Sequence, residues 1–152
     1  MKKFLSLLVV TVVLATGCKT AMQKDAITAA KGNTFSFEYE AMTRGSFKKI
    51  IVTQDTVVTI KDRAMKDVVT KKLSSADWSR LLADVQKVNL ETIQDLKAPT
   101  DKRQYDGAQI GMLKIIKDGK TYQSNGFDHG MPPAEIKSIV DKLIAVSDLP
   151  KK

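Results

Sequence analysis

The chain runs to 152 residues, 43% hydrophobic and 28% charged, with 25 basic against 17 acidic side chains and a formal net charge of +8. That length bounds it to one modest core; the single cysteine excludes an intrachain disulfide, and with only one histidine beside it zinc is nearly excluded. The basic balance suits anionic lipid or an acidic partner, while nucleic acid is disfavoured because the basic residues carry no interleaved aromatics.

The chain opens with Lys2 and Lys3, an apolar run from Phe4 to Leu14, and then Ala15-Thr16-Gly17-Cys18. Charged, then apolar, then small is the order of a signal peptide. The apolar run falls short of the ~20 residues that a helix needs to cross a bilayer, so no permanent membrane span is expected. The segment Leu14-Ala15-Thr16-Gly17-Cys18 resembles the lipobox of bacterial lipoprotein precursors, in which small residues admit the lipoprotein signal peptidase and the thiol carries diacylglycerol. The resemblance implies that residues 1–17 are removed and that Cys18 becomes the lipidated N-terminus, with the membrane as a partner through its anchor. Loss of Lys2 and Lys3 takes the formal charge from +8 to +6. Each buried methylene of a lipid chain adds roughly 0.8 kcal/mol, so two or three chains hold a protein durably on a bilayer. Lys19, rather than an aspartate, follows the cysteine; by analogy with Gram-negative lipoprotein sorting, that favours the outer membrane of the cell envelope.

Residues 19–33 are small and polar, with Met22 and Ile27 as the larger apolar exceptions. They read as a tether, making residues 18–33 a lipidated linker and residues 34–149 a single domain. Phe35, Phe37, Tyr39 and Ala41 alternate with Ser36, Glu38 and Glu40, the period of a strand with one buried face. Thr43-Arg44-Gly45-Ser46 supplies a turn. Residues 47–53 and 56–61, rich in Ile, Val and Thr around Gln54-Asp55, predict two more strands, and residues 66–72 a fourth.

The pattern changes at Leu73-Ser74-Ser75-Ala76-Asp77-Trp78, where Ser74 caps a helix, Asp77 takes the capping-box position and Leu73 staples onto Trp78. Trp78, Leu81, Leu82, Val85 and Val88 form its apolar stripe, and Asn89 is expected to end it. Trp78 therefore reads as a core residue. Residues 90–96 continue as an irregular or single-turn segment, followed by a polar loop with Pro99, Asp101, Lys102, Arg103, Tyr105, Asp106 and Gly107. Residues 109–117 predict a strand, and Asp118-Gly119 a two-residue hairpin into residues 120–125. After Gly126-Phe127-Asp128-His129-Gly130, Pro132 and Pro133 suit the first turn of a helix with Ile136, Ile139, Val140, Leu143 and Ile144 on one face. The order β-β-β-β-α-β-β-α predicts an α+β fold: an antiparallel sheet of about six strands with two helices packed on one face.

Candidates for chemistry are few. Asp128-His129 with Ser124 nearby could sketch a triad, but no nucleophile-elbow motif surrounds the serine, and His129 reads as a turn residue before a helix. Asp101 and Asp106 lack the ligand spacing of a calcium loop and read as solvated. The glycines are dispersed and form no phosphate loop or dinucleotide fingerprint. The pairs Lys48-Lys49, Lys71-Lys72 and Lys102-Arg103 read as solvated faces. No cofactor, metal site or catalytic residue is expected.

Residues 34–146 resemble in layout small secreted or lipidated bacterial families of unknown function. The features that carry this are Arg44-Gly45-Ser46-Phe47 after the first strand, the capped helix from Leu73, Tyr105 ahead of the Asp118-Gly119 hairpin, and the Pro132-Pro133 closing helix. Emfourin, a bacterial inhibitor of thermolysin-like metalloproteases, is similar in this layout, which implies protease inhibition as one function; no functional residue carries over. The sequence thus predicts a non-enzymatic, membrane-anchored binding or structural module of the envelope with a protein or acidic partner. An emfourin-like inhibitor is the alternative, and a hydrolase using Asp128 and His129 a third.

Overall fold

The computed structural model describes residues 34–149. The leader, the tether and Cys18 lie outside the described residues. Four strands follow in succession, β1 (Phe35–Met42), β2 (Phe47–Val52), β3 (Thr56–Ile60) and β4 (Val68–Lys72), and then helix α1 (Ser75–Val85). Strands β5 (Ile110–Lys117), β6 (Lys120–Gln123) and β7 (Phe127–Asp128) lead to helix α2 (Lys137–Val146). The strands form one antiparallel sheet in the order β4-β3-β2-β1-β5-β6, with β7 paired to β5. The fold is α+β, as the sequence predicts.

The alternation in β1 explains why it holds the centre. Phe37 lies opposite Val52 and Ile115, and Tyr39 opposite Ile50 and Leu113, so whole rows across the sheet face inward and are fully buried. Both helices cover that face: Leu81 and Val85 of α1, with Ile139, Val140 and Leu143 of α2, complete one core. Burying each such side chain contributes roughly 1.5–3 kcal/mol before the entropy of ordering it. Trp78 meets Phe37 edge-on at 5.8 Å between ring centroids, which confirms it as a packing residue. Ser74 caps α1 by accepting the Asp77 N–H at 3.0 Å.

Four details depart from the sequence reading. Helix α1 stops at Val85 instead of running to Asn89; Asn89 starts the next element, its side chain accepting the Glu91 N–H at the head of a 3-10 turn, Leu90–Asp95. Strand β4 begins at Val68, because the Asp62 carboxylate takes the N–H groups of Lys66 and Asp67 and closes a turn there. Phe127–Asp128 is a strand where only a connection was expected. The closing helix opens with a 3-10 turn at Ala134–Ile136, and Pro133 stands outside it.

The other sheet face is crossed by an ion ladder: Lys49 lies 2.7 Å from Glu38 and 3.0 Å from Glu40, and Lys114 lies 3.8 Å from Glu40. Burial alone would lower the Lys49 pKa, but the two carboxylates reverse this and raise it. The edge strands β4 and β6 are short and bear Lys71, Lys72 and Lys120, which discourages pairing with another chain's edge.

The topology gives the sheet two unlike ends. Thr34, ahead of β1, is tied to the β5–β6 hairpin by its N–H to the Asp118 carboxylate at 2.8 Å and by the Asp118 N–H to its carbonyl at 2.9 Å. Asp118 and Gly119 both have positive φ, 50° and 82°, as this tight hairpin turn requires. The chain therefore enters the domain at the hairpin end. The β1–β2 turn, the β3–β4 turn, the loop before β5 and the β7 strand all lie at the opposite end, roughly 25 Å away at about 3.3 Å per residue along the eight residues of β1.

Candidate binding surface at the loop end of the sheet

Met65, Val68, Tyr105, Ile110 and Met131 are the exposed large hydrophobic residues among the described residues. Every one of them sits at the loop end. Tyr105 is 68% and Met65 61% exposed, so these side chains stand out of the surface instead of filling it. Tyr, Met and Arg are the residues that protein-binding surfaces accumulate, and this end also carries Arg44, Arg63 and Arg103, three of the chain's four arginines.

The loops that display them are braced. Met65 adopts φ 54° in the turn held by Asp62, a backbone region that a side chain of its type rarely visits without a fixed surround. Arg63 reaches across to donate to the Thr43 carbonyl at 2.7 Å, with its guanidinium 5.8 Å from the Phe47 ring centre. Gln109 donates from Nε2 to the Ser46 hydroxyl at 2.7 Å. A surface fixed in this way loses little entropy when a partner settles on it.

Asp128 is the anchor beneath. Its buried carboxylate accepts the N–H groups of Lys102 at 2.8 Å and Arg103 at 2.9 Å, and the Arg103 guanidinium at 3.2 Å. Thr100 Oγ1 is buried without a formed hydrogen bond, so the bonds that hold the carboxylate are those of Lys102 and Arg103. Burial opposes the charge, yet these donors keep the carboxyl ionised down to about pH 2. Next to it, His129 Nδ1 lies 2.7 Å from the Tyr39 hydroxyl, with the two rings stacked at 5.9 Å, and the His129 backbone N–H donates to the Gln109 carbonyl. Burial pushes the Tyr39 hydroxyl above its ordinary pKa, against the pull of the Gly130 backbone.

Each of Ser124, Asp128 and His129, sketched together as a triad, bonds a residue outside that set. Ser124 accepts the Leu113 N–H at 3.1 Å, Asp128 serves the loop before β5, and His129 serves Tyr39. Asp101 heads the 3-10 turn Lys102–Tyr105 without capping it, and Asp106 ends it at φ 58°. Among the described residues, no group of three or more His, Cys, Asp and Glu side chains is placed to hold a metal ion. The basic pairs split apart: Lys49 joins the ion ladder, Lys71 donates to the Ser147 carbonyl, and Arg103 turns to Asp128.

The sequence reading missed the loop-end cluster, whose members are scattered between positions 44 and 131 and meet only through topology. Among the described residues, no helix is long and apolar enough to cross a membrane. Comparison with protein-family models, curated proteins and solved structures found no match to the chain.

Proposed function

We propose that this chain is a lipid-anchored binding module of the bacterial cell envelope, held to the membrane through Cys18 and recognising a partner protein with the loop end of its sheet. The observation that carries the reading is the gathering of exposed Met65, Val68, Tyr105, Ile110 and Met131 at the end opposite Thr34. A chain anchored ahead of Thr34 presents that end away from its attachment. Asp128 holds the loop before β5 and His129 meets Tyr39 of β1, which favours binding over catalysis.

The anchor is tested by Cys18→Ala. Metabolic labelling with a fatty-acid probe and membrane fractionation should show the variant unlabelled and released from the membrane fraction. Its domain should stay folded, because the core begins at Phe37. Undiminished labelling would remove the anchor from the account.

A further inference from the structure

We propose that the cleft between Arg44, Arg63 and Arg103 is a carboxylate-binding pocket, which takes an acidic side chain of the partner protein docked on the loop end. The inference rests on the binding reading above and names the chemistry that the partner must bring.

The three arginines come from three separate segments, the β1–β2 turn, the β3–β4 turn and the loop before β5, and converge on one cleft of about 300 Å³. Met42 and Ile110 line it on the sheet side, and Asp106 is its one carboxylate. With Arg103 paired to Asp128, Arg44 and Arg63 are the guanidinium groups of the cleft that no ion pair compensates among the described residues, and an incoming anion is attracted to them. Arg103 is the one of the three that pairs with a carboxylate, Asp128. Arg63 is held by Thr43 and Phe47, and Arg44 forms no ion pair among the described residues.

Arg63 and Arg103, held in place, offer planar forks of donors, the geometry that carboxylates accept in pairs, and Arg44 adds a third guanidinium to the same cleft. The apolar rim decides the kind of ligand. Ile110 lines the cleft and Tyr105 precedes Asp106 in the same loop, so an acidic side chain flanked by aliphatic or aromatic neighbours satisfies both charge and burial. A cleft of this volume stands at the lower limit of small-molecule sites and suits one inserted side chain of a larger partner.

The lipidated protein in detergent micelles is panned against a displayed random peptide library, and an enriched peptide is then measured by fluorescence anisotropy. Wild type is expected to select Asp or Glu next to apolar residues, and the Asn or Gln form of the same peptide to bind about tenfold more weakly. Arg44→Gln with Arg63→Gln should erase the difference between acid and amide forms. Arg44→Gln alone, which breaks no hydrogen bond among the described residues, should give part of that loss. Lys87→Gln with Lys120→Gln removes the same charge from side chains 72% and 59% exposed and should preserve the discrimination.

The pocket is overturned if no acidic peptide is enriched, if acid and amide forms bind alike, or if the arginine and lysine pairs weaken binding equally. It is also overturned if phosphatidylglycerol vesicles bind more tightly than the peptide and depend on the same arginines. Met65→Ser with Tyr105→Ser separates the two readings. If that change weakens both peptide forms while the arginine changes do nothing, the loop end binds without a carboxylate pocket. If neither pair of changes alters binding, both readings fall.

Discussion

Gly111→Ala tests whether β7 is packed as tightly against the sheet as the loop-end architecture requires. Gly111 lies in β5 opposite Ala41 of β1 and Phe127 of β7. A Cβ there would stand 2.7 Å from Phe127 Cε2 and 3.0 Å from both Phe127 Cδ2 and the Tyr39 hydroxyl. The first distance is about 0.7 Å short of the 3.4 Å at which ordinary contact begins. Phe127 and Tyr39 are fully buried, and a close-packed interior has no space into which the ring can withdraw. Alanine in a strand otherwise gains about 0.5–1 kcal/mol over glycine, whereas overpacking costs typically about 1–3 kcal/mol. The expected net effect is a loss of about 1–2 kcal/mol, read as a lower urea midpoint at unchanged slope. Phe127→Leu in the Gly111→Ala background should restore part of it, a coupling that a double-mutant cycle measures. A Gly111→Ala protein as stable as wild type would refute the packing argument.

Two pH responses follow from the same region. Tyr39 keeps its proton in the folded state above its ordinary pKa of 10.0 while the unfolded chain releases it. Its contribution is therefore whole below pH 10 and declines above it, by up to about 1.4 kcal/mol per pH unit. Tyr39→Phe should flatten that alkaline decline in urea unfolding, and an identical decline in both proteins would contradict the assignment. Asp128, held below its ordinary 3.8 at about 2, adds stability that is present above that range and is lost as the pH falls through it. Asp128→Asn should be less stable near neutral pH yet lose less than wild type between about pH 4 and 2; parallel acid curves would exclude the carboxylate as the anchor of the loop.

Local pattern made most of the fold legible. Phe37, Tyr39 and Ala41 announce β1 because a half-buried strand must alternate, and Ser74 announces α1 because helix starts need an acceptor for their first N–H groups. What escaped depends on distant partners. Strand β7 is two residues long and has no period to detect. Asn89 reads as a stop in the sequence, but its side-chain amide oxygen accepts the Glu91 N–H and opens the next turn. His129 finds Tyr39 across 90 positions, and Asp128 finds Lys102 across 26. The candidate surface escaped for the same reason. Met65, Tyr105 and Met131 are unremarkable in their own segments, and Arg44, Arg63 and Arg103 become a cluster only when antiparallel pairing brings three connections to one end.

The central claim is that the loop end is the face that meets a partner while Cys18 holds the chain to the membrane. A photo-crosslinking residue placed at Tyr105, and in a separate strain at Gln54 in the exposed turn at the hairpin end, tests it in living cells carrying the full-length chain. The expected result is a discrete protein adduct from position 105 that is lost when Cys18→Ala is added, with no adduct of that mass from position 54. Adducts from position 54 and none from position 105 would contradict the account.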